Sequence, residues 1–143
     1  MLVTRLKNYP KYLEKIYSYA ESVCIKIIVR EEDGDGCYNH FNSCLYIDPD
    51  LEEASEIATL LHELGHAFDY HLVDKKLSPK IWHAYEKVYS EDANLNDKEL
   101  QTVMDAEIRA WENGKVIAKR LKIPLGKWYA HERKISLMNY RRS

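Results

Sequence analysis

Apolar residues along this chain fall into alternating helical and strand-like stretches. Leu13, Ile16, Tyr17 and Ala20 recur at the three-and-four spacing of a helix, and Pro10 is suited to its first turn. Residues 23–30 are rich in β-branched side chains and read as a strand, followed by the polar turn Glu31-Glu32-Asp33-Gly34-Asp35-Gly36. Two short strands are expected at 37–41 and 44–48, joined at Asn42-Ser43. Connections this short favour hairpins, so the small sheet is expected to be antiparallel. Asp50 followed by Glu53 has the form of a capping box, which starts a helix at Leu51 that should run to about Val73. Ser78-Pro79 reads as the cap and first turn of a helix over 80–89. Asn96 and Glu99 form a second capping box, opening a long helix from Asp97 to about Lys122, which Pro124 stops. A last helix is expected over 127–140. The pattern is that of a single α+β domain over residues 1–143, with a small antiparallel sheet packed on helices; no repeat or linker interrupts it.

The second half of the helix after the third strand carries His62-Glu63-Leu64-Gly65-His66. Side chains four apart on a helix lie one above the other, so both imidazoles can reach one tetrahedral ion. Glu63, one position on, can touch a water at the open position of such an ion; acidified by zinc, that water would lose its proton to Glu63 and attack a polarised carbonyl. Gly65 costs about 1 kcal/mol relative to Ala inside a helix, which calls for a neighbouring strand or helix in close approach.

A catalytic zinc ordinarily takes a third protein ligand. Glu107 is the leading candidate: it lies well inside the long helix, with the small residues Ala110 and Gly114 three and seven positions further along the same face, where they let two helices come close. The rivals are His83, seventeen positions past His66, and Asp69, which suits a supporting bond to a ligand histidine better than ligation itself. His71, five positions from His66, is turned to another face. A second constellation, Cys37-x2-His40-x3-Cys44 with Cys24, offers four ligand types for a structural zinc, though buried cysteines more often act as small hydrophobes. For a group that would stabilise the oxyanion, Tyr85, Tyr89 and His131 are the candidates.

Composition narrows the setting. No run approaches the roughly 18 apolar residues of a membrane span, and residues 1–9 lack a secretory core; a cytoplasmic location is expected. Three cysteines are an odd number for a disulfide framework. Charge is lopsided: residues 31–74 hold twelve acids and no Lys or Arg, while residues 115–143 hold nine Lys or Arg against Glu132 alone. That basic segment suits a nucleic-acid or acidic partner, or simply balances the acidic half. The tyrosines at 9, 12, 17 and 19, and the later Trp82, Tyr85 and Tyr89, read as core stripes.

The stretch His62-Glu63-Leu64-Gly65-His66-Ala67-Phe68-Asp69, with Glu107-x2-Ala110 and then Leu121 and Pro124, resembles the gluzincins, metallopeptidases that pair HExxH with a glutamate on a later helix. The resemblance is closest to their minimal, toxin-like members and to ImmA/IrrE-type domains, and covers about residues 44–124. It implies a zincin-like fold, a zinc ion held by His62, His66 and Glu107, Glu63 as general base, and endopeptidase cleavage of a protein or peptide. Thermolysin-like members carry an acid four residues after the ligand glutamate; here that position is Trp111. Two functions are therefore expected to compete: a zinc peptidase of narrow specificity, with the strand at 44–48 as the sheet edge that receives the substrate, and a non-catalytic zinc module that recognises a protein or nucleic acid. Glu63 favours the first, because a purely structural module has little use for an acid beside an open metal position.

Overall fold

The computed structural model describes residues 5–72, 78–89 and 96–141. It contains α1 (Tyr9–Ser22), β1 (Lys26–Val29), β2 (Gly36–Asn39), β3 (Cys44–Ile47), α2 (Glu53–Leu72), α3 (Ser78–Tyr89), α4 (Asp97–Arg120) and α5 (Lys127–Arg141). This is an α+β arrangement, and the elements lie where the apolar periodicity places them. The expected cap at Ser78 and the helix end at Val73 fall on side chains or residues outside those described.

The sheet departs from expectation. Its order is β1-β3-β2, with β3 parallel to β1 and antiparallel to β2, so it is mixed rather than antiparallel. No helical crossover is needed, because β2 itself carries the chain across. After β1 the polar turn leads to the far edge, and the hairpin then folds β3 back into the gap. Asn39 and Asn42 shape that hairpin by accepting the Phe41 and Cys44 amides at 2.9 and 3.0 Å, and Ser43 takes the left-handed conformation. The strand before α2 is therefore central, paired on both sides; the free edges belong to β1 and β2. β3 is accordingly the buried strand, with Leu45 and Ile47 fully enclosed.

Helix α2 opens at Glu53, two residues later than expected. The Asp50–Glu53 box does not organise its start: Glu53 Oε1 accepts the Leu6 amide at 2.9 Å, and Glu56 takes the Tyr9 hydroxyl, so these acids tie the segment before α1 to α2. The Asn96–Glu99 box does form, with both reciprocal bonds present.

The core is built around α2. Ile57, Leu60, Leu61 and Leu64 pack with Ile16 and Ala20 of α1, Leu45 and Ile47 of β3, Ile117 of α4 and Tyr129 of α5. The α1 tyrosines lie half-buried against this cluster, as core stripes do. Helices α2 and α4 run in backbone-level contact. A methyl group at Gly65 would drive into the Ala110 carbonyl, and one at Gly114 would meet the Tyr129 hydroxyl and, at 3.0 Å, the Leu61 carbonyl oxygen. Asn113 donates to the Gly65 carbonyl at 3.2 Å across the same contact. Gly65 thus has the reason its helix position demands. Among the described residues, no helix is long and apolar enough to cross a membrane.

The expected outcome for Gly65→Ala follows. Helix propensity alone would stabilise it by about 1 kcal/mol, but the obstacle is backbone, which cannot swing aside. Overpacking should win, with a net loss of about 1–3 kcal/mol in urea unfolding; a gain in stability would contradict the close contact.

Candidate metal centre

Helix α2 presents His62, Glu63 and His66 toward α4 and β2. Their ligand atoms lie within 4.8 Å of one another, and the group is enclosed, so it can hold a metal ion. Across the α2–α4 contact, Glu107 enters the same space with only 2 % of its surface exposed. Its two oxygens divide between the imidazoles: Oε2 lies 2.6 Å from His66 Nε2, and Oε1 lies 3.4 Å from His62 Nε2. The Tyr85 hydroxyl of α3 donates to Glu107 Oε2 at 2.6 Å. Ala110 and Gly114, on the face that also carries Glu107, are what let the carboxylate come this far.

Electrostatics follow from this crowding. Burial works against an ionised Glu107, yet His66 and His62 hold it well below the usual carboxylate range. Burial likewise disfavours a charged His66, but the Glu107 carboxylate raises its pKa to about 9. Glu63 is pushed up by burial, which its two histidine neighbours only partly offset. Its Oε1 lies 3.7 Å from His62 Nδ1. Among the described residues two buried side-chain nitrogens make no hydrogen bond: Trp111 Nε1 and His62 Nε2, the latter standing 3.4 Å from Glu107 Oε1. An imidazole nitrogen left unsatisfied beside a second imidazole and a carboxylate is a donor set suited to a cation.

The other candidates lie apart from this group. His83 is exposed on α3 and acts electrostatically on Glu99. Asp69 lies within electrostatic reach of His66, but its hydrogen-bond partner is Arg109, whose Nε stands 2.9 Å from Oδ1. The side chains of His71 and Tyr89 are outside the described residues. His131 is exposed on α5; of the two oxyanion candidates whose side chains are described, Tyr85 is the one brought against the cluster.

The cysteine constellation does not assemble. Cys37 pairs with Tyr46 and Cys44 with Asn39, so the two cysteines are offset by two positions along the β2–β3 ladder, and among the described residues no cysteine joins a metal-capable group. Cys37 Sγ donates to Glu32, and burial with that acid pushes its thiol up to about 12. Cys24 is exposed, and His40 Nδ1 accepts the Trp82 indole N–H at 3.2 Å.

Trp111 is the residue whose part the sequence leaves unassigned. One turn beyond Glu107, its indole lies parallel to the His62 imidazole, with centroids 4.2 Å apart and planes 8° from parallel. Tyr129 fixes it from α5, meeting its ring edge-on and donating to its carbonyl oxygen at 2.6 Å. Trp111 thus sets an aromatic plate against one histidine of the candidate metal group. The signal was Trp111 falling one turn from Glu107, on the face toward α2.

No family model, curated protein or solved structure matches this chain.

Two measurements test this geometry. Glu107→Ala should weaken zinc binding in equilibrium titrations by at least about tenfold, on the scale of losing a group that orients or ligates the ion; unchanged binding would remove Glu107 from the site. Trp111→Leu should weaken zinc by about tenfold while Trp111→Phe, which keeps a flat ring on His62, retains most of the affinity. Equal losses in the two variants would show that the stacking does not orient His62.

Proposed function

We propose that this chain is a zinc-dependent peptidase, with His62, His66 and Glu107 holding the ion and Glu63 acting as general base. The observation that carries this reading is the convergence of two imidazoles and a carboxylate from separate helices on one buried point, with the His62 nitrogen unsatisfied and a second buried carboxylate, Glu63, beside it. Two nitrogens and one oxygen are the donors of a catalytic zinc that keeps a position open, and bound zinc supplies carbonyl polarisation and an acidified water.

The chain's own residues do the rest. Glu63 accepts the proton of the attacking water as its oxygen bonds to the scissile carbon, then passes that proton to the departing amine nitrogen as the C–N bond breaks. The Tyr85 hydroxyl, which donates to Glu107 Oε2, steadies the carboxylate that would hold the ion. Stacking by Trp111 limits rotation of His62.

The substrate edge is β2, since β3 is paired on both sides. Gly36 makes this possible: a methyl there would meet Tyr46 O at 2.6 Å and Thr59 Cγ2 at 3.2 Å. Thr59 and Glu63 lie one turn apart on α2, so the start of β2 runs past the base. Cys37 lies within electrostatic reach of Glu63, and Glu63 within that of Asp35. A peptide added to the open side of β2 has backbone hydrogen bonds to make there, with its carbonyl near Glu63.

Glu63→Gln tests the reading. The variant should bind zinc as the parent does, yet hydrolyse peptides about 10²–10⁴-fold more slowly. Full hydrolysis with Gln at position 63 would exclude Glu63 as the base, and a zinc-loaded parent that cleaves no peptide would exclude the peptidase.

A further inference from the structure

The end of β2 away from Glu63 carries an aromatic group that neither the core nor the metal centre uses. Phe41, in the hairpin after β2, is 75 % exposed, the most open of the large apolar side chains among the described residues. It does not stand alone. Its ring lies 4.3 Å from His40 and 4.6 Å from Trp82 of α3, and Trp82 meets His40 edge-on at 4.5 Å. The Trp82 N–H on His40 Nδ1 fixes the hairpin tip to α3.

This cluster stands at the rim of the proposed site on two independent lines. Trp82 is one turn from Tyr85 on α3, about 5 Å along the axis, and Tyr85 bonds Glu107. Along the strand, the Gly36 start of β2 packs against Thr59, one turn before Glu63, and β2 then runs four residues, about 10 Å at the rise of an extended chain, to the hairpin that carries Phe41. A peptide extended along the open edge of β2, with its carbonyl near Glu63, therefore reaches the cluster with a side chain a few residues from the scissile bond. An apolar surface held by a hydrogen bond and left open to water gains most by covering an apolar side chain.

We propose that His40, Phe41 and Trp82 form a specificity subsite for a large apolar or aromatic side chain of an extended peptide, on one side of the scissile bond. The inference rests on the peptidase reading and adds the class of substrate. The basic or acidic character of the peptide is not what this subsite reads; the contact is apolar, and its two indole and phenyl rings offer edges and faces for stacking.

The test uses the full zinc-loaded protein and a proteome-derived peptide mixture, with cleavage sites read by mass spectrometry. The parent should show large apolar residues enriched at one position two to five residues from the cut, on one side only. Phe41→Ala, a change at an exposed position, should leave zinc content and thermal midpoint unchanged, flatten that enrichment, and raise KM for a preferred peptide roughly tenfold with little change in kcat. Trp82→Phe should keep the preference in part, and Trp82→Ala should lose it. Cleavage without apolar enrichment, or enrichment that Phe41→Ala leaves intact, overturns the subsite alone. Absence of any cleavage by the parent overturns the peptidase reading and the subsite with it. Concentration-dependent self-association that Phe41→Ala abolishes would assign the face to a second copy of the chain and overturn it too.

Discussion

Everything at the centre of this molecule depends on how closely α2 and α4 approach. Two helices carrying ordinary side chains at their contact keep their axes about 8–10 Å apart, and a carboxylate on one reaches imidazoles on the other only if something small stands between. Gly65 against the Ala110 backbone and Gly114 against Leu61 supply that on both helices. The contact fixes the helices where neither can slide without meeting main chain. Glu107 is thereby delivered between His62 and His66 by backbone geometry rather than by flexible side-chain reach. The same contact positions Trp111 one turn further, flat against His62.

Burying two imidazoles and two carboxylates together is costly unless each finds a partner. Glu107 solves most of the problem by accepting from His66 and Tyr85, and its depressed pKa and the raised pKa of His66 are two faces of the same attraction. Glu63 gains less: its neighbours only partly offset burial. Together with the unsatisfied His62 nitrogen, this leaves the cluster with electrostatic demand unmet at the points a cation and a proton-accepting base would occupy. Structural buried networks tend to satisfy every member; this one is incomplete in the place where chemistry would need it so.

Much of this was legible in the sequence, for reasons that differ by element. The helices announced themselves because a buried face repeats every three or four residues, and α2 and α4 are long enough to show several turns of it. Gly65, Ala110 and Gly114 gave away the close contact, since a glycine inside a helix needs a steric cause. The sheet was less legible: strands of four residues carry almost no pairing information, and nothing in Cys44–Ile47 distinguishes a central strand from an edge except its completeness of burial, which is a property of the fold. Asp50 and Glu53 had the spacing of a capping box, but Glu53 was taken by the distant Leu6 amide, a partner no local pattern reveals. Cys37, His40 and Cys44 were close in sequence and separated by the ladder between them. Tyr85 and Trp111 joined the site through packing between helices, and read along the chain they are indistinguishable from core aromatics.

The architecture separates what holds the proposed site from what surrounds its entrance. His62, Glu63 and Glu107 are buried on helices locked through main chain, where a change in volume is felt by the whole core. Phe41 sits on a hairpin tip with most of its surface open, and the half-buried Trp82 on the shorter helix α3. Substitutions there alter few buried contacts and so leave stability nearly untouched. Function that resides in exposed loops on a rigid frame can change without loss of the frame. In this chain the frame is the α2–α4 contact, and the part free to vary is the rim that a peptide would meet before it reached Glu63.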